Sequence, residues 1–202
     1  MEILGGCKAR LQPLSRNVRP RKQYPRMSIS NRVRTEPLTE AHADELYQGF
    51  LDARIYSFIP EQPPQSLEAM HREYREFVEG APSGSNEVWL NWAVRELSTS
   101  QCIGTVQVTV YSGGLLWVGY KLTPSAWSNG YATEAVVWLL AELSGRFSGK
   151  TALAAVDTRN IASIRVLEKV GFVRLRMEAA TIRGEETQDH VYEYGFEGQG
   201  ES

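Results

Sequence analysis

Residues 128–133, Ser-Asn-Gly-Tyr-Ala-Thr, lie where an apolar run, 115–122, gives way to a helical apolar period at Ala132, Val136, Leu139, Leu140 and Leu143. A strand, a small-residue turn and a helix start, in that order, bring the first-turn N–H groups and the positive end of the helix dipole to one exposed point. Gly130 and Ala132 let an anion as large as a diphosphate approach the main chain there, so the chemistry on offer is phosphate binding. The same residues also suit a plain helix start capped by Ser128 or Asn129.

A second stretch, 157–172, carries Asn160 at the start of an expected helix, Ser163 one turn in and Gly171 at its close. A serine at such a position often bonds a carbonyl one turn back. His42, His71 and His190 are scattered over two expected helices and a strand, without metal-site spacing. Cys7 and Cys102 fall in unlike segments, which argues against both a disulfide framework and a zinc cluster.

The elements that must position these stretches are legible from the pattern. A first strand is expected over 32–38, with Thr39 capping a helix whose inward face is Ala43, Leu46, Tyr47, Phe50 and Leu51. Residues 54–64 form an aromatic and proline-rich connector, with Tyr56 and Phe58 as a candidate binding wall or as cover for the core. Ser66 caps a second helix with Leu67, Met70, Tyr74, Phe77 and Val78 inward and Gly80 at its exit. Three antiparallel strands follow, 88–97, 102–110 and 115–123, then a helix over 131–147. The remainder reads as a strand over 151–156, the helix over 160–170, and strands over 172–180 and 190–196. This order gives an α/β (α+β) domain with a mixed sheet of six or seven strands and helices on both faces.

At 202 residues, 42% hydrophobic and 23% charged, the chain suits one domain with a sizeable core. It has no apolar run long enough to span a membrane and no apolar leader, so a reducing cytoplasm is expected. Residues 1–26 hold seven basic residues against Glu2, a charge of +6, and since the whole chain is −2 the rest carries −8. We therefore expect a basic arm over 1–30, a folded domain over 31–197 and a short tail over 198–202. Such an arm reads as a solvated tail or a nucleic-acid contact, and the acidic body argues against the latter.

Together the two stretches carry a family resemblance over about residues 31–196. Pro124, Trp127 and the run 130–135, with Asn160, Ser163, Leu167, Glu168, Lys169, Gly171 and Phe172 about 30 residues on, resemble the GNAT acetyltransferases. Within that family the pattern is similar to the ribosomal-protein N-terminal acetyltransferases of the Rim type. The resemblance implies an N-acetyltransferase that uses acetyl-CoA as co-substrate, without a metal, and acetylates a primary amine, as a monomer or homodimer. It implies that Ser128, Asn129, Gly130, Tyr131, Ala132 and Thr133 cradle the coenzyme diphosphate. It further implies that Leu122 offers main-chain groups to the pantetheine arm and acetyl carbonyl, that Asn160 bonds the pantetheine, and that Ser163 protonates the leaving thiolate.

Four positions depart from the family pattern. Ser128-Asn129 replaces a glycine and a basic residue, Leu167 stands where many members have a tyrosine acid, and Trp117 stands where many carry a carboxylate. Glu178, on the strand after the second motif, is then the nearest candidate base, and Tyr56, Phe58 and Trp117 are candidate acceptor contacts. The departures also keep open an acyl-CoA-binding regulator without turnover.

Overall fold

The computed structural model describes residues 32–196. The basic arm expected over 1–30 and the tail over 198–202 lie outside the described residues. The chain runs Val33–Pro37 (β1), His42–Phe50 (α1), Leu67–Glu79 (α2), Glu87–Glu96 (β2), Cys102–Tyr111 (β3), Leu115–Leu122 (β4), Tyr131–Arg146 (α3), Thr151–Asp157 (β5), Ile161–Lys169 (α4), Val173–Ile182 (β6) and Glu185–Gly195 (β7). Short 3₁₀ turns occupy Ala53–Tyr56 and Pro124–Ala126.

All seven strands join one sheet in the order β1-β2-β3-β4-β5-β7-β6. Every neighbouring pair is antiparallel except β4 and β5, which run parallel because α3 carries the chain from one to the other. Side chains alternate across the sheet, so β2 and β3 each feed two cores. Val94, Val106, Leu116, Val156 and Tyr192 pack with Leu139 and Leu143 of α3 and Leu167 of α4. On the opposite face Ala93 and Cys102 pack with Leu46 and Phe50 of α1 and Met70 and Tyr74 of α2. Helices thus cover both faces. Among the described residues no helix is long and apolar enough to cross a membrane.

Local chemistry fixes most boundaries. Ser66 caps α2, its Oγ accepting from the Ala69 N–H at 3.1 Å. The two-residue turn Arg183-Gly184, both at positive φ, matches the twist of the β6–β7 hairpin. Thr39 does not cap α1: the helix follows Ala41, and His42 Nδ1 instead accepts from the Thr39 N–H at 2.9 Å, so the side-chain bond runs backwards. Leu51 and Val78, expected on buried faces, are 40% and 54% exposed. Each stands at the C-terminal end of its helix, where a period extended from the middle has outrun the layer beneath.

Candidate functional site

β4 and β5 pair only through Leu115–Thr151, Leu116–Ala152 and Trp117–Leu153. Beyond Trp117 they diverge, while β5 stays paired with β7 along its far side to Asp157. The result is a notch in the middle of the sheet. Thr123 donates its N–H to the Ile103 carbonyl of β3 at 2.9 Å, so by the alternation of an antiparallel strand Tyr120 and Leu122 turn their main-chain groups toward the notch. The Leu122 carbonyl is occupied by the indole Nε1–H of Trp127 at 2.9 Å. Of the main-chain groups expected from Leu122, the N–H is therefore the one it can offer.

At the mouth of the notch lies the 128–133 turn. Gly130 is left-handed at φ 83° and serves as N-cap of α3 without any side-chain cap bond. Neither Ser128 nor Asn129 plays that role; Ser128 is itself at φ 61°, and the Asn129 amide donates to the Trp127 carbonyl at 3.1 Å. The first helical bond is from the Glu134 N–H to the Gly130 carbonyl at 3.2 Å, which leaves the Tyr131, Ala132 and Thr133 N–H groups as the donors of the first turn. The Tyr131 hydroxyl is drawn away to Glu96, and Thr133 is buried. Any contact these residues make with an anion is thus through the backbone.

A residue outside the motif also reaches this turn. Arg32, just before β1, pairs with Glu134, donates from Nη2 to the Asn129 carbonyl at 2.8 Å and stacks 4.9 Å from the Tyr131 ring centroid.

Deeper in the notch, α4 presents Ser163. Its hydroxyl does not turn back to its own helix: Ser163 Oγ lies 2.7 Å from the hydroxyl of Tyr120. Burial pushes the Tyr120 phenol up to about 12, with the Ser163 bond pulling the other way. Tyr120 escaped the sequence reading because β4 and α4 are far apart in the chain. Asn160 Oδ1 caps α4 by accepting the Ser163 N–H at 3.1 Å, which leaves its amide nitrogen as the group it can offer a ligand. Leu167 is buried, 1% exposed, and carries no polar atom into the notch.

The opposite face of the notch is polar. Trp117 is half-buried on β4 on this side, together with Lys121. The Lys121 ammonium lies 5.1 Å from the Phe50 ring centroid and 3.8 Å from Glu61. Tyr56, for which a binding wall or cover for the core was expected, is 1% exposed and donates its hydroxyl to the Phe50 carbonyl at 2.9 Å, so it supports this wall from behind. Phe58 is half-buried with the Arg159 guanidinium 5.8 Å from its ring centroid. Across the sheet, Asp157 of β5, Asp189 of β7 and Glu178 of β6 stand directly opposite one another. Arg159 beside Asp157 holds that carboxyl down to about 2, and Arg176 bonds Glu178. Burial, with the charges of Asp157 and Glu178 adding to it, pushes Asp189 up to about 6. The Glu178–Asp189 pairing was not readable from sequence, since β6 shifts register between Arg174 and Arg176.

Comparison with known proteins agrees with this geometry. The sequence model of the acetyltransferase (GNAT) domain matches residues 32–173. The chain is 22% identical over 145 residues to a Bacillus subtilis (strain 168) protein named uncharacterized N-acetyltransferase YoaA, covering 71% of this chain and 80% of that one. Among solved structures, a RimL ribosomal L7/L12 alpha-N-protein acetyltransferase in complex with coenzyme A superposes with a TM-score of 0.73 at 15% identity, covering 83% of this chain and 96% of that one. Spermidine N-acetyltransferase from Vibrio cholerae, in complex with CoA and spermine, gives 0.68 at 15% identity, over 82% of this chain and 96% of that one.

Proposed function

Because this chain belongs to the GNAT acetyltransferase family, we propose that it moves an acetyl group from acetyl-CoA to a primary amine by direct attack. The observation that carries this reading is the notch between β4 and β5, with unpaired first-turn N–H donors at its mouth and the Tyr120–Ser163 hydroxyl pair inside it. The diphosphate fits the mouth, where left-handed Gly130 turns the chain so that the first-turn N–H groups of α3 are offered to an anion. The pantetheine arm lies along β4, in place of the missing strand neighbour. A main-chain N–H from Tyr120 or Leu122 polarises the acetyl carbonyl.

The neutral amine nitrogen then bonds the acetyl carbon, the carbon–sulfur bond breaks as the departing thiolate takes the Ser163 hydroxyl proton, and the proton that the nitrogen sheds on becoming an amide restores the serine hydroxyl. The amine enters as an ammonium whose ordinary pKa lies well above 7, so it must also lose a proton. Glu178 and Asp189 face each other on the acceptor side, and Asp189, raised to about 6, is the better base near neutral pH. A base works deprotonated, so kcat/KM should rise with pH through about 6. Asp189→Asn should remove that limb while leaving the KM for acetyl-CoA in place. A limb that survives in Asp189→Asn would take the role of base away from Asp189.

The reading is tested by following thiol release from acetyl-CoA with a panel of amines: peptides with free N-termini, polyamines, amino acids and amine antibiotics. Amine-dependent release, with one acetylated amine formed per thiol, is the expected result. Tight coenzyme binding without turnover on any member would instead assign the chain as an acyl-CoA-binding regulator.

A further inference from the structure

The diphosphate turn lacks the basic residue expected at position 129, yet a guanidinium reaches it from another part of the chain. Arg32 Nη2 donates to the Asn129 carbonyl at 2.8 Å, and Arg32 Nε donates to Glu134 Oε1 at 2.8 Å. Arg32's own N–H donates to Glu134 Oε2 at 3.1 Å, and its carbonyl accepts from the Leu97 N–H at 2.9 Å. Its position is therefore fixed at the backbone by both α3 and the end of β2. The planar fork of the guanidinium spans two acceptors at once, a geometry an ammonium matches poorly.

We propose that Arg32 is the positioning residue of the diphosphate turn. In a trans peptide the C=O and N–H point in opposite directions. Holding the Asn129 carbonyl on the Arg32 side therefore aims the Gly130 N–H toward the opposite side, where the first-turn donors of α3 are offered. Glu134 already answers the charge of Arg32, so the gain is orientation of the donor rather than added positive potential. A β-carbon at residue 130 would lie 3.3 Å from Arg32 Nη2, so the absent side chain of Gly130 also gives the guanidinium its place. This inference rests on the acetyl-CoA reading and names the residue that prepares its anion subsite.

Arg32→Met alone would leave Glu134, which is 8% exposed, without its partner and could unfold the first turn. The informative protein is the double variant Arg32→Met/Glu134→Gln. It removes both charges, keeps an acceptor for the residue 32 N–H and loses the tether to Asn129. Calorimetry with coenzyme A and with pantetheine, which has no phosphate, reads the effect. We expect coenzyme A to bind at least 10-fold more weakly than to the wild type, with pantetheine within 2-fold, and circular dichroism and melting to show a folded protein. Unchanged coenzyme A affinity, or equal losses for both ligands, would overturn the role of Arg32. A wild type that binds neither ligand would overturn the acetyl-CoA reading itself.

Discussion

Ser163→Ala is expected to lower kcat about 100-fold, the low end for a positioned acid, and to leave acetyl-CoA affinity nearly unchanged. Ser163 Oγ lies 2.7 Å from the Tyr120 hydroxyl, inside the notch and pointed away from its own helix. That hydroxyl pair has no structural duty that the alanine variant would leave unmet. The Tyr120 hydroxyl also lies 3.3 Å from the Ser163 carbonyl and can still donate there. Asn160 caps α4 through the residue 163 N–H, which alanine retains. The loss should therefore appear in the chemical step rather than in folding or donor binding. It should shrink with an acyl donor whose thiol is more acidic, because a better leaving group depends less on protonation. Equal losses with both donors would reduce Ser163 to a packing residue, and single-turnover kinetics with the two thioesters would make the distinction.

Gly130→Val should raise the dissociation constant for coenzyme A by an order of magnitude or more, about 1.4 kcal/mol per tenfold. Two effects act together. Gly130 sits at φ 83°, a conformation that costs a β-branched residue roughly 1–3 kcal/mol. Its β-carbon would also meet Arg32 Nη2 at 3.3 Å, so the valine must displace either the turn or the guanidinium. Gly130→Ala, with less bulk at the same φ, should fall between wild type and valine. Titration calorimetry beside thermal melting checks the result, and a folded valine variant with wild-type affinity would remove this turn from the binding site.

The left-handed turn at 130 and the strand-to-helix order of both motif stretches were legible because they are local. Gly130 is left-handed where a glycine was needed, and the periods at 131–147 and 160–170 locate α3 and α4 to within a residue or two. What was not legible lies across the chain. Tyr120 meets Ser163, and Arg32 meets Asn129, only once the sheet has been assembled. Asp189 is pushed up by burial and then by carboxylates on two other strands, and the register bulge in β6 sets which carboxylate it faces. For Tyr56 the sequence left a binding wall and cover for the core both open. An aromatic in a proline-rich connector suggests display, but a buried hydroxyl with a carbonyl in reach makes it a support.

The three-pair junction of β4 with β5 also divides the molecule mechanically. β1 to β4 form one antiparallel block and β5, β7 and β6 another. Within each block neighbouring strands are knitted by many ladder pairs. The seam between blocks is held by fewer ladder pairs than any other junction of the sheet, so it is the least rewarded of them. Tyr120 stands on one bank of that seam, and Ser163, on α4, on the other. Their hydroxyl contact thus spans the seam. In the proposed reaction this hydroxyl pair is complete only while the two blocks are docked, which makes the integrity of the seam a condition for turnover.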